Sequence, residues 1–158
     1  MTVLQGVLAD RDAWSAVGRC PIEKTMALVG TKSAMLIMRE AYYGTTRFDE
    51  FARRVGITKA ATSARLTELV EAGLLTKRPY REPGQRARDE YVLTEAGADF
   101  MPVVWAMFDW GRKHLDSAPL RLVHQDCGAD AVVEVVCSHG HSVPPEELGV
   151  RLAKGGRR

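Results

Sequence analysis

The stretch GITKAATSARL, residues 56–66, opens on a glycine and sets Thr, Lys, Ser and Arg among alanines. In a chain that is 46% hydrophobic, a helix start with such short polar side chains calls for a reason. Advancing about 100° per residue from Thr58 gathers Leu66, Leu69 and Val70 on one side, with Thr62 beside them. Ala60, Ser63, Ala64 and Thr67 project from the other side, flanked by Lys59. The first side suits a core. The second is small enough to approach another molecule closely and polar enough to hydrogen-bond to it. A DNA major groove, about 12 Å wide, accepts a helix with that kind of face. Ser63, Arg65 and Thr67 can then address base edges or phosphates. Lys59 suits a phosphate, as does the helix N-terminus behind Thr58. A solvent-facing helix with indifferent polar residues is the competing reading, so its neighbours decide.

Upstream, Pro21 opens a helix over PIEKTMALV that stops at Gly30. KSAMLIMREAYYG continues to Gly44. RFDEFARRVGI then places Phe48, Phe51, Ala52 and Val55 at helical spacing before Gly56 breaks left-handed. Thr58 is the expected N-cap of the next helix and Gly73 its stop. Downstream, LLTKRPY and DEYVLT are strand candidates around the Pro-Gly turn of REPGQRAR. Thr94 caps a long helix, expected over 95–116, with Phe100, Val103, Val104, Met107, Trp110 and Leu115 on one stripe. Three helices, a hairpin and a further helix make a mainly α fold with a β-hairpin wing, a winged helix-turn-helix. Residues 117–158 read as a small β appendage with two strands, PLRLVHQDCG and AVVEVVCSHGHSV, and a basic tail. The expected division is therefore 1–116 and 117–158.

The wing strengthens the nucleic-acid reading. Lys77, Arg78, Arg81, Arg86 and Arg88 lie on or beside its tip, where guanidinium groups can enter a minor groove or grip the backbone. Tyr80 and Tyr91 are expected to pack the hairpin. Net charge is only +2, but its distribution is uneven. Residues 44–93 hold ten basic residues against seven acids, and 151–158 hold four against none. The rest carries eight against thirteen. No apolar run reaches the 18 or so residues of a membrane span, and the N-terminus lacks the pattern of a secretory leader. Three cysteines are too few and too odd in number for a disulfide scaffold, which points to a reducing cytoplasm.

These segments resemble the HxlR-type bacterial regulators, related in fold to the MarR group. The resemblance is carried by CP at 20–21, GTK at 30–32, RFDEF at 47–51, GIT at 56–58, ARLTELVEAGLL at 64–75, EYVLTEAG at 90–97 and Trp110. It spans roughly residues 20–115. It implies a dimer that binds double-stranded operator DNA through the 58–67 helix and the wing, with Arg86 and Arg88 in contact and terminal helices pairing the subunits. Two departures stand out: Ser33 where many relatives carry Trp, and Thr62 where many carry Leu. Dimerisation also has a physical motive, because Phe100, Trp105, Phe108 and Trp110 exceed one buried stripe. Their folding inside one subunit, or around a ligand, is the alternative. A two-fold dimer would read half-sites roughly 34–36 Å apart.

Two further constellations bear on signalling. Cys20 precedes Pro21 at a helix start, where backbone N–H groups favour a thiolate. The resemblance implies a redox or electrophile switch there, against the plain alternative of a structural thiol. His124, Cys127, Cys137, His139 and His141 form H-x2-C-x9-C-x-H-x-H, which could supply tetrahedral zinc ligands. Packing of a small hairpin is the other reading, and no cofactor is otherwise implied. The expected protein is a cytoplasmic, dimeric DNA-binding repressor answering a thiol-reactive or small-molecule signal, and joining the nucleoid when bound to DNA. Its rivals are a protein-binding winged helix and a thiol- or metal-dependent enzyme. No base-and-orienter arrangement supports the enzyme.

Overall fold

The computed structural model describes residues 1–81, 83–84, 86–116 and 118–153. It divides into two compact units, Pro21–Arg121 and a second made of Met1–Cys20 with the segment from Leu122 onward.

In the larger unit, α1 (Pro21–Val29) starts on the proline whose fixed φ suits a first helical turn. Helix α2 (Lys32–Tyr42) is capped by Thr31, whose Oγ1 accepts the Ala34 N–H at 3.2 Å. Helix α3 (Phe48–Val55) ends on Gly56 at φ 73°, a left-handed turn that a side chain would oppose. Helix α4 (Lys59–Glu71) follows at once, its N-cap Thr58 accepting the Ala61 N–H at 3.2 Å. The antiparallel strands β2 (Leu75–Tyr80) and β3 (Arg88–Leu93) pair from Leu75 opposite Leu93 to Tyr80 opposite Arg88. Helices α2, α3 and α4 and the base of the hairpin enclose Ile37, Met38, Phe51, Leu66, Leu69 and Leu75, all nearly inaccessible.

Thr62 lies in this core. Its hydroxyl donates to the Thr58 carbonyl at 2.9 Å, so the polar atom is satisfied inside the apolar centre. Ser33 is half-buried.

The single long helix expected over 95–116 is interrupted. Helix α5 (Glu95–Asp99) gives way at Phe100 to α6 (Met101–His114). Pro102 explains the break, since it brings no N–H and its ring crowds the preceding turn. Thr94 caps α5 through the Gly97 N–H at 3.0 Å. Two contacts then pin this helix. Tyr42 Oη donates to the Gly97 carbonyl at 2.6 Å, and burial pushes its phenol up to about 12. A Cβ on Gly97 would collide with the carbonyl of Leu74.

The smaller unit is organised differently from the expected two-stranded appendage. Its regular pairing is parallel, between β1 (Val3–Leu4) and β4 (Gly149–Val150), so residues 1–20 group with the C-terminal segment rather than with the helices. The segments around PLRLVHQDCG and AVVEVVCSHGHSV form only single antiparallel bridges, Val123 with Asp130 and Val136 with Ser142. Each closes on its own tight turn, at Gly128 (φ 68°) and Gly140 (φ 80°). Val132, Val133, Val135 and Val136 stay exposed. Among the described residues no apolar layer opposes them, so this valine-rich run builds no extended ladder.

Candidate nucleic-acid interface

Every polar residue assigned to the outer face of α4 emerges outward. Thr58, Lys59, Ala60, Ser63 and Thr67 are exposed and Arg65 is half-exposed, while Thr62, Leu66 and Leu69 face inward. The segregation follows from the spacing alone: small residues occur where the helix turns away from α2 and α3. Unpaired N–H groups of the first turn add a partial positive charge at the Lys59 end.

The cations of this region carry acidic companions. Lys59 Nζ lies 2.7 Å from Asp49 Oδ1 on α3, and both are well exposed. That ammonium holds the Asp49 carboxyl below its ordinary value of 3.8. Arg65 pairs with Glu68 at 2.5 Å, and Arg53 and Arg54 approach Glu50 at 3.7 and 3.9 Å. On the wing, Arg78 Nε donates to Glu90 Oε1 at 2.7 Å, and Arg47 Nη1 is 3.4 Å from Glu90 Oε2. The Arg47 guanidinium sits 3.1 Å from the centre of the Tyr80 ring. Arg81, Arg86 and Arg88 are exposed around the turn.

A second surface lies on α1 and α6. Ile22, Met26 and Leu28 on the former, and Val103, Met107 and Trp110 on the latter, are largely exposed. The expected excess of aromatic groups is only partly outward. Trp105 stacks on Tyr43 at 5.9 Å and meets Phe108 edge-on at 6.2 Å, so these rings pack inside the subunit.

The HxlR-like helix-turn-helix family profile matches residues 28–119, more than half of the chain. The chain belongs to that family. An uncharacterised HTH-type transcriptional regulator of Mycobacterium tuberculosis, Rv3095, is 37% identical over 135 residues, covering 84% of this chain and 81% of that one. The crystal structure of PA1607, a candidate transcription factor, superposes with a TM-score of 0.74 at 30% identity, over 88% of this chain and 97% of that one. The reduced form of the redox regulator HypR superposes with a TM-score of 0.54 at 30% identity, over 60% of this chain and 92% of its own. This HxlR-type protein is therefore a transcription regulator with a DNA-binding helix-turn-helix, and not an enzyme. No helix among the described residues is long and apolar enough to cross a membrane.

The signalling candidates of this HxlR-type chain fall apart into separate places. Cys20 is half-buried immediately before α1. His124 Nδ1 lies 3.2 Å from Cys127 Sγ. Cys137 is held below its ordinary 9.0 chiefly by the His139 and His141 backbone N–H groups. The His139 and His141 rings are 6.3 Å apart. The five do not converge: among the described residues no three His, Cys, Asp or Glu side chains are gathered as metal ligands. Two tight local turns account for this, one holding His124 and Cys127 and the other Cys137, His139 and His141.

Sequence reasoning missed Glu90, Arg47 and Asp49. Glu90 was legible in principle. The turn at Gly84 is the midpoint of the register, and counting outward from it sets Arg78 opposite Glu90.

Proposed function

We propose that this regulator is a cytoplasmic homodimer that represses transcription by binding a specific operator. Helix α4 enters the major groove, and Arg86 and Arg88 of the wing hold the flanking backbone. The observation that carries the reading is the exposed small polar face of α4 beside a turn ringed with arginines. The exposed apolar side chains of α1 and α6 support dimerisation, since patches of that kind on a globular surface mark contacts. A thiol-reactive signal at Cys20, or a small molecule, would shift the balance between binding and non-binding arrangements of the two reading helices. The likeness to a redox regulator supports the thiol reading.

Binding of promoter fragments across a salt series tests the proposal. The expected log–log slope is near −0.9 per phosphate contacted. Replacing Arg86 and Arg88 with Ala should weaken binding to all sequences and flatten the slope by about 2, whereas Ser63→Ala should change preference among sequences. Met26→Glu should yield monomers by light scattering and cost at least tenfold in operator affinity. Salt-independent binding, or none, would favour a protein-binding winged helix instead.

A further inference from the structure

The ion pairs around the interface fall into two kinds. Lys59 and Asp49 are both open to water, with side chains 76% and 62% exposed. Such a pair is weak, and a DNA phosphate can take the place of the carboxylate. Glu90 is of the other kind. Its side chain is only 10% exposed, and it stands opposite Arg78 in the hairpin. One oxygen takes Arg78 Nε at 2.7 Å, and the other lies 3.4 Å from Arg47. Thr46 hydrogen-bonds to the same carboxylate, and the Thr46 carbonyl accepts the Tyr91 N–H at 2.8 Å. Arg47, whose Nη1 is enclosed without a hydrogen-bond partner, rests on Tyr80. A single carboxylate thus joins the start of α3 to both strands of the wing. Breaking these pairs would leave a nearly enclosed charge behind, which opposes exchange with phosphate.

Building on the DNA-binding reading above, we infer that Glu90 is a positioning residue of the interface: it offsets part of the charge of Arg47 and Arg78 and fixes the wing against α3. Phosphate contact then falls to Lys59, Arg86 and Arg88. Sequence-independent attraction is kept down, so discrimination rests on the α4 face. Arg78, although on the wing and largely exposed, belongs to the frame rather than to the contact surface.

Salt-titrated binding of the full-length protein to a promoter fragment, and to an unrelated duplex of equal length, tests this. Glu90→Gln keeps the shape and removes the charge. It is expected to raise affinity for both duplexes three- to tenfold at about 50 mM salt, steepen the slope by about 1 to 2 and narrow the ratio between them. Arg78→Met should leave the slope unchanged, and its exposed site keeps the test valid if Glu90→Gln fails to fold. An unchanged slope in Glu90→Gln, or one flattened by about 1 in Arg78→Met, overturns the inference. Those results in a protein that itself binds with normal salt dependence leave the operator-binding reading standing. Absence of salt-dependent binding by the unaltered protein sinks both.

Discussion

The two units of this chain meet the same solvent with very different resources. Pro21–Arg121 encloses twelve of the thirteen buried hydrophobic residues found among the described positions; the unit of 1–20 and 122 onward encloses Leu8. The larger unit therefore has a continuous apolar centre to set against the entropy of ordering its backbone. The smaller one relies on turns, two single bridges and a two-residue parallel pairing. Regular periodicity in the sequence is informative only where there is something to pack against.

The largest effect is expected from cutting into the larger centre. Phe51→Ala should cost about 3–5 kcal/mol, by loss of transfer energy and opening of a cavity, and should collapse the main melting transition. Leu8→Ala should leave that transition in place and speed amide exchange only in the smaller unit. Thermal melting followed by circular dichroism, together with hydrogen exchange, checks both. Equal loss in the two variants would mean that the units melt as one body.

Next in size is Gly97→Ala, where the added methyl meets the Leu74 backbone. Overpacking against a main-chain carbonyl should cost about 1–3 kcal/mol, measured by denaturant midpoint at constant m-value. Gly128→Ala in the smaller unit meets no neighbour, but its φ of 68° still opposes a side chain. Its effect should stay local to the 124–130 turn and leave the main midpoint untouched.

The smallest effect concerns acid. The carboxylates of Glu90, Asp109 and Asp49 lie below their ordinary values, held chiefly by Arg78, Lys113 and Lys59 respectively. A depressed folded value means that the carboxylate's contribution is complete above the unfolded value and vanishes as pH falls through the folded one. Stability of the larger unit should therefore be flat from about pH 7 to 5 and decline below about pH 4, a trend that added salt should blunt. A steady rise in stability on acidification over that lower range would contradict these assignments.

Most of the larger unit was legible because its signals are local and mutually consistent. Pro21, Thr58, Thr94 and the stops at Gly56 and Gly73 mark helix ends by local hydrogen bonding and backbone geometry, which need no tertiary partner. The face of α4 followed from spacing. What escaped was decided by tertiary company. Pro102 was overlooked inside an otherwise unbroken apolar stripe, although its missing N–H breaks the helix at Phe100. Glu90 and Asp49 read as ordinary surface acids until the hairpin and α3 brought them to Arg78 and Lys59. The run 132–136 is rich in strand-forming valines, but among the described residues no layer covers them. The H-x2-C and C-x-H-x-H spacings described two turns rather than one centre.

The bare face of Gly97 has a mechanical corollary. Because main chain meets main chain there, and the Tyr42 phenol grips the same residue, the C-terminal helices are keyed closely to the strand that leads into the wing. Torque applied to α6 would travel to the hairpin with little slack, like a crank keyed directly to its shaft.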